Sequence, residues 1–236
     1  YLLSTQAGVM TGALIDYEIG RVLAALDESG VAERTAVFFT ADHGEFTGAH
    51  RLNDKSPAMY DDIYRIPCLV RAPGAPAGRV DEHFVTLMDL TATILDYAGL
   101  DTARVLDGRS VLPLARGESV PQGAPWRQSI LGEFHGHHFA HQQRMLRTAD
   151  YKLIVSPDAV HELYDLRADP AELHNRFEDC AYTAVRDTMC RQLHAMLLAR
   201  GDVAFARWML AAVGFVPETS TFSCMSSPAD QVIPGT

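Results

Sequence analysis

The amino-acid sequence predicts an α/β protein in which a mostly parallel sheet is flanked by helices and followed by a smaller antiparallel sheet with a helix. In the first half of the chain, amphipathic helical patterns alternate with short, uniformly apolar strands. In the second half, short strands are separated by turns. The texture changes near residue 125, and we therefore predict two domains, 1–124 and 125–236.

The elements of the first domain follow from their spacing and their end signals. Residues 8–29 carry apolar side chains at helical spacing, and Gly30 stands where a left-handed cap would end the helix. The run TAVFFTA at 35–41 has no polar alternation, which is typical of a strand covered on both faces, as in a parallel sheet. RIPCLVRAPG at 65–74 predicts a second such strand, and 84–100 predicts another helix.

The second domain is predicted from short apolar runs bounded by turn residues. Residues 107–118 lead into it and are predicted to form a loop. QSILGEF, RMLRTADYKLIVS and HELYDL then predict short antiparallel strands. In DPAELHN, at 169–175, an acid precedes a proline, which is a helix-start signal, and 185–201 predicts a further helix.

Composition limits the class of partner. The net charge of -10 argues against a nucleic-acid binder, because few groups could neutralise a phosphate backbone. No apolar stretch is long enough for a membrane span. The amino terminus shows no signal-peptide pattern, which leaves the compartment open between cytoplasmic and periplasmic or secreted.

The segment FFTADHGEFTGAH at 38–50 carries the first chemical signal. Asp42 and His43 follow a predicted buried strand, at the kind of strand end where α/β proteins place functional groups. A carboxylate and an imidazole can supply part of a shell for Ca²⁺, Mg²⁺, Mn²⁺ or Zn²⁺. Taken alone, the four letters DHGE fit a helix cap and a surface turn as well as they fit a metal site.

Six blocks of the chain, in one order, resemble the carboxyl-terminal half of the type I sulfatases of the alkaline phosphatase superfamily. The resemblance extends over about residues 8–200, and phosphonate monoester and phosphodiester hydrolases share most of it. The blocks are FFTADHGEFTGAHRLNDK, MYDDIYRIPCLVRAPG, VTLMDLTATILDYAGL, DGRSVLPLARGE, QRMLRTADYKLI and ELYDLRADPAELHN. On this resemblance, 1–124 is the last part of the catalytic α/β domain and 125–236 is a smaller α+β subdomain.

The resemblance implies roles for individual residues. Asp42 and His43 match two metal ligands, on an ion that is Ca²⁺ in sulfatases and Mn²⁺ in the phosphonate hydrolases, with Mg²⁺ as a further alternative. Lys55, twelve positions after His43, matches the catalytic lysine that contacts the sulfate and the bridging ester oxygen. Without the family, Lys55 would be interpreted as an ordinary surface lysine.

Two histidines are weaker candidates for substrate binding. His50 either faces the substrate or hydrogen-bonds its own loop. The cluster EFHGHHFAHQQR, which in the family borders the cleft, supplies His137 as the second candidate. Histidine density alone suggests a metal, but no spaced carboxylate accompanies this cluster.

The family's nucleophile, a formylglycine made from a C-x-P-x-R type motif, is not encoded in this chain. The leading hypothesis is therefore a sulfuric ester hydrolase whose amino-terminal half supplies the nucleophile, with this chain alone inactive. Its partner would be a small-molecule sulfate ester. The alternatives are a phosphonate monoester or phosphodiester hydrolase, and a non-catalytic remnant on the same scaffold. Oligomers are common in the family, so a homo-oligomer is also left open.

Overall fold

The computed structural model describes residues 2–55, 57–101, 104–120, 125–136, 140–157 and 159–213. The chain divides into two compact units, Tyr1–Gln128 and Ser129–Thr236. The catalytic and subdomain assignments made for 1–124 and 125–236 remain predictions. Each unit is described by itself below.

The first unit contains four helices and two strands among its described residues. They are α1 (Leu2–Glu28), β1 (Val37–Thr40), α2 (Asp61–Tyr64), β2 (Cys68–Arg71), α3 (Leu87–Tyr97) and α4 (Leu112–Arg116). The predicted helices and strands of this half are present. The short helix α4 occupies part of 107–118, where a loop was predicted, and Gly117 in a left-handed conformation ends it.

Strands β1 and β2 pair antiparallel, with Val37 opposite Arg71 and Thr40 opposite Cys68. The α/β class is confirmed, but the mostly parallel sheet is not, since the described part of the first unit holds only this antiparallel pair. The physical reason is that a uniformly apolar run reports that both faces of a strand are covered and says nothing of the strand's direction. The two strands are only partly covered by the described residues: Phe39 is 43% exposed and Leu69 is 59% exposed.

A buried carboxylate organises the end of the first unit. Asp89 is fully buried and forms a capping box with Thr86 at the start of α3. It accepts a hydrogen bond of 2.8 Å from the Arg109 backbone N–H and one of 2.7 Å from Arg127 Nη2. Burial tends to raise the pKa of Asp89, but these hydrogen bonds and the positive charge of Arg127 outweigh it and hold the pKa below the ordinary value.

The second unit is a four-stranded antiparallel sheet with two helices. The elements are β3 (Ser129–Phe134), β4 (Gln143–Thr148), β5 (Tyr151–Val155), β6 (Glu162–Asp165), α5 (Thr183–Ala199) and α6 (Val203–Ala212), and the strand order is β3-β4-β5-β6. The predicted smaller antiparallel sheet with a helix is confirmed. Its core joins Leu146 and Leu153 of the sheet to Leu193 and Leu197 of α5 and Met209 of α6, all fully buried.

The predicted helix at 169–175 is wrong, because the segment forms turns. Asp169 Oδ2 accepts a hydrogen bond of 2.7 Å from the backbone N–H of His174, and Glu172 has a left-handed backbone with φ 55°. The Glu172 carboxylate lies 2.6 Å from Lys152 Nζ on β5, and both side chains are buried. The left-handed turn at Glu172 accompanies its buried ion pair with Lys152, and this tertiary contact outweighs the local helix-start signal.

The outer edge of β6 is covered by the segment that follows it. The backbone N–H of Leu163 donates to Asn175 Oδ1 at 3.0 Å, and the Leu163 carbonyl accepts from the Arg176 backbone N–H at 2.7 Å. At this position the edge strand has no unpaired backbone group facing outward.

Helix α1 carries exposed apolar side chains along the part of it whose side chains are described, at Leu14, Ile15, Tyr17 and Val22. The apolar residues are interrupted by acidic and basic ones. No helix in the described part of the chain combines the length and the apolar character needed to cross a membrane.

Candidate functional site

The predicted site residues within the described ranges lie on one connection, residues 41–67, which we call the site loop. It joins the end of β1 to the start of β2, and Thr40 Oγ1 donates a hydrogen bond of 2.8 Å to the carbonyl of Pro67. Because β1 and β2 are antiparallel, both ends of the site loop lie at the same end of the strand pair. Within the described residues, the site is therefore built on a long hairpin connection between two antiparallel strands.

Asp42 and His43 are arranged as two adjacent donors. The backbone N–H of His43 donates to Asp42 Oδ1 at 3.0 Å, and His43 Nε2 lies 3.6 Å from Asp42 Oδ2. His43 Nδ1 lies 2.7 Å from the carbonyl oxygen of Gly44. A carbonyl can only accept, so the Nδ1–H group donates this hydrogen bond, and Nε2 is the ring nitrogen on the side of Asp42.

This donor pair fits a divalent metal ion in chemistry and in orientation. Metal-binding histidines commonly donate their second ring N–H to a carbonyl or carboxylate, as His43 does to Gly44. The Asp42 side chain is 86% exposed and that of His43 is 34% exposed, so both are accessible. In the described residues no group of three or more His, Cys, Asp or Glu side chains could hold a metal ion, so this pair would be part of a shell.

Gly44 is required by a close backbone approach. A Cβ atom at this position would lie 1.8 Å from the carbonyl oxygen of Asp62 in α2. The Gly44 N–H donates to the Ile63 carbonyl at 2.8 Å, which fixes the approach. The residue after His43 is therefore pressed directly against α2.

Lys55 follows a closed segment of the site loop. The Phe46 N–H is 3.5 Å from the Asp54 carbonyl, and the Gly48 N–H donates to the Leu52 carbonyl at 2.9 Å. This closure brings the backbone just before Lys55 close to the backbone just after Asp42 and His43. The Lys55 side chain is exposed. The joint role of the three side chains stays a prediction.

His50 lies inside the closed segment. Its ring stacks on Tyr60 with a centroid distance of 3.8 Å and an interplanar angle of 5°. Its Nε2 atom is 3.6 Å from Asp62 Oδ2, and its side chain is 11% exposed. The predicted substrate contact of His50 is untested, and His137 lies outside the described residues.

Tyr60 and Asp62 were not predicted from the sequence as part of the site. A usable signal was present in YDDIY, because two acids after an extended residue mark the start of a helix, and Asp61 and Asp62 do open α2. Their contact with His50 depends on the path of the site loop. Local patterns do not report such a path.

One family matches most of the chain. The family described as N-sulphoglucosamine sulphohydrolase, C-terminal, matches residues 48–198. This range contains His50 and Lys55 and begins just after Asp42 and His43.

Curated relatives match about three quarters of the chain. The chain is 36% identical over 182 residues to the uncharacterized sulfatase YidJ of Escherichia coli, covering 74% of this chain and 34% of YidJ. It is 32% identical over 194 residues to human arylsulfatase K, covering 77% and 34% of the two chains. It is 36% identical over 203 residues to the multifunctional alkaline phosphatase superfamily protein PehA of Trinickia caryophylli, covering 78% and 38%.

Solved structures share the fold. BT4656, solved in complex with its substrate D-glucosamine-2-N,6-O-disulfate, has a TM-score of 0.72 at 30% identity, covering 79% of this chain and 39% of that one. The phosphonate monoester hydrolase of Agrobacterium radiobacter has a TM-score of 0.70 at 31% identity, covering 78% and 39%. The chain spans about a third of the length of its curated relatives. It belongs to the type I sulfatase family of the alkaline phosphatase superfamily and corresponds to its carboxyl-terminal part.

Proposed function

We propose that the protein containing this chain hydrolyses sulfuric esters, with the site loop supplying two metal ligands and one catalytic ammonium. The observation that carries the proposal is the closed segment between Phe46 and Asp54, which lies between the Asp42–His43 pair and Lys55. Family membership gives the reaction class. The residues of the loop give the roles that the chemistry needs.

Asp42 and His43 would hold a divalent ion through a carboxylate oxygen and His43 Nε2. Ca²⁺ is the leading candidate on the resemblance to sulfatases, with the Asp42 carboxylate as the hard oxygen ligand that suits it, and Mn²⁺ and Mg²⁺ are the alternatives. When bound, such an ion polarises the ester oxygens. The hydrogen bond from His43 Nδ1 to the Gly44 carbonyl would orient the ring so that Nε2 is the coordinating atom.

Lys55 would act on the leaving group. Sulfuryl transfer places negative charge on the bridging ester oxygen, and a fixed ammonium stabilises that charge as it develops. Lys55 is one of two lysines in the chain, and the other, Lys152, is buried in an ion pair with Glu172. The nucleophile, a formylglycine, would come from the part of the longer protein that this chain does not contain.

The test uses the complete translated product that contains this chain. Purified protein is assayed with aryl sulfates, with sulfated amino sugars and with aryl phosphonate esters. We expect sulfate release that a chelator abolishes and that added Ca²⁺ or Mn²⁺ restores. Lys55→Ala should lower kcat by about 100-fold or more, as for loss of one donor to a developing oxyanion. Arg65→Ala, an exposed cation on the same loop, is the matched control and should keep activity.

A phosphonate monoester or phosphodiester hydrolase is the second candidate. The similarity to the Agrobacterium enzyme, with a TM-score of 0.70 against 0.72 for BT4656, supports it nearly as strongly. Faster turnover of phosphonate esters than of sulfates would favour this candidate. Absence of turnover of every ester would favour a non-catalytic remnant.

A further inference from the structure

The site loop concentrates left-handed backbone. Five described non-glycine residues of the chain have positive φ, and four of them lie between 47 and 54. They are Thr47, His50, Arg51 and Asp54, with φ of 45°, 51°, 60° and 58°. Such conformations are sparsely populated and persist only where the surrounding contacts hold them. The site loop therefore needs a clamp.

The contacts of His50 supply that clamp. One face of the imidazole stacks on the ring of Tyr60. The two ring planes are nearly parallel, at 5°, and the ring centroids are 3.8 Å apart. The ring of Phe46 stands edge-on to both, at 6.3 Å from His50 and 6.1 Å from Tyr60. Phe46 and Met59 are each 1% exposed, so this aromatic cluster is the buried centre of the loop.

The clamp is anchored on α2. His50 Nε2 lies 3.6 Å from the carboxylate of Asp62, and the backbone carbonyl of the same Asp62 presses against Gly44. Helix α2, which belongs to the later part of the site loop, therefore holds the earlier part of the loop at two points: at Gly44, directly after His43, and at His50 in the middle of the closed segment. Lys55 lies beyond the second point.

We infer that His50 is a positioning residue. Its imidazole holds the closed segment of the site loop against Tyr60 and Asp62 and thereby holds Lys55 near Asp42 and His43. With one face on Tyr60 and an edge toward Asp62, the ring has 11% of its side-chain surface left for a substrate. The catalytic part of this inference rests on the proposed function. The clamp itself does not.

The kinetic test separates a positioning residue from a substrate contact in the complete translated product. His50→Ala should lower kcat by about 100-fold, because a small displacement of a catalytic group is enough for such a loss. KM should stay within about 3-fold of the wild-type value, because no ground-state contact is removed. His50→Phe keeps a ring on Tyr60 but loses the approach to Asp62, so it should recover kcat only in part. A raised KM that phenylalanine does not rescue would overturn the inference.

A second test reads the clamp without catalysis. Trypsin can cleave after Arg51 and after Lys55, both exposed on the loop. In His50→Ala these cleavages, mapped by mass spectrometry, should be about 10-fold faster, because cleavage tracks the population of the opened loop. His50→Phe, which keeps the stack on Tyr60 and loses the approach to Asp62, should be cleaved at a rate between those of the wild type and His50→Ala.

His83→Ala is the matched control. His83 also contacts an aspartate, with Nδ1 at 2.7 Å from Asp81 Oδ1, and stands edge-on to Trp126 at 6.0 Å. Its loss should not change cleavage at Arg51. If His50→Ala does not fold by circular dichroism, His50→Asn replaces it, because asparagine tolerates a left-handed backbone and lacks the ring.

The two tests fail separately. A wild-type protein without esterase activity, together with faster cleavage of His50→Ala, would reject the proposed function and keep the clamp. A folded His50→Ala with wild-type cleavage rates would reject the clamp, whatever the activity. Faster cleavage with unchanged kcat would reject the positioning of Lys55.

Discussion

The two units of the chain differ in how completely they bury their apolar surface. In the second unit, Leu146, Leu153 and Leu163 on the sheet are fully buried beneath α5 and α6. In the first unit, Phe39 is 43% exposed and Leu69 is 59% exposed on its two strands. The second unit closes a core from its own described residues, whereas the first holds the site loop on a partly covered scaffold.

The largest expected difference between the units comes from removing one ion pair in each of them. Lys152→Met leaves Glu172 buried without its ammonium and should lower the free energy of unfolding by about 3–5 kcal/mol. Arg71→Met removes an exposed ion pair with Asp27 in the first unit and should lower the free energy of unfolding far less, because solvent screens exposed charges. Urea unfolding followed by circular dichroism measures both, and similar effects would break the comparison.

Leucine truncations sharpen the comparison without charge. Leu193→Ala opens a cavity in the core of the second unit and should lower the free energy of unfolding by about 2–5 kcal/mol. Leu69→Ala at the exposed position in the first unit should change it by no more than about 0.5 kcal/mol. A large effect of Leu69→Ala would show that its surface is covered in the complete protein.

The pH dependence of the first unit is set in part by Asp89. Because its pKa is lowered in the folded state, its contribution is present above the ordinary carboxyl value of 3.8 and is lost as the pH falls through the folded pKa. Asp89→Asn should remove that contribution, about 1.5–3 kcal/mol for hydrogen bonds to a charged group, and flatten the acid limb of the stability curve. Unfolding midpoints measured from pH 7 down to pH 2 test this, and an unchanged acid limb would contradict it.

The smallest effect is on thiol reactivity. Burial raises the pKa of Cys190, in the core of the second unit, to about 12, whereas Cys68 on β2 is exposed. At pH 8 a thiol reagent should label Cys68 first and reach Cys190 only after denaturation. Mass spectrometry of labelled peptides measures the order, and early labelling of Cys190 would show that the second core opens readily.

The longer helices were predictable because their apolar side chains recur at helical spacing, and the strands because short apolar runs are bounded by turn residues. The direction of the β1–β2 pairing was not, because an apolar run carries no information on strand direction. The segment 169–175 was predicted wrongly, since the buried partner of Glu172 lies on another element.

The candidate site likewise has one part that the sequence could predict and one part that it could not. Asp42 and His43 could be singled out because they are adjacent in sequence and follow a strand. The stack of His50 on Tyr60 could not, because it depends on the three-dimensional path of the loop. Adjacent residues carry a local signal, and contacts between separate elements do not.

The covered outer edge of β6 has a consequence for handling the protein. With the backbone groups of Leu163 taken by Asn175 and Arg176, a foreign strand cannot add to the sheet at that position. Replacing Asn175 with alanine would expose one backbone N–H there and create a starting point for fibril-like self-association. Storage losses of such a variant should therefore grow with concentration, while the parent stays dispersed.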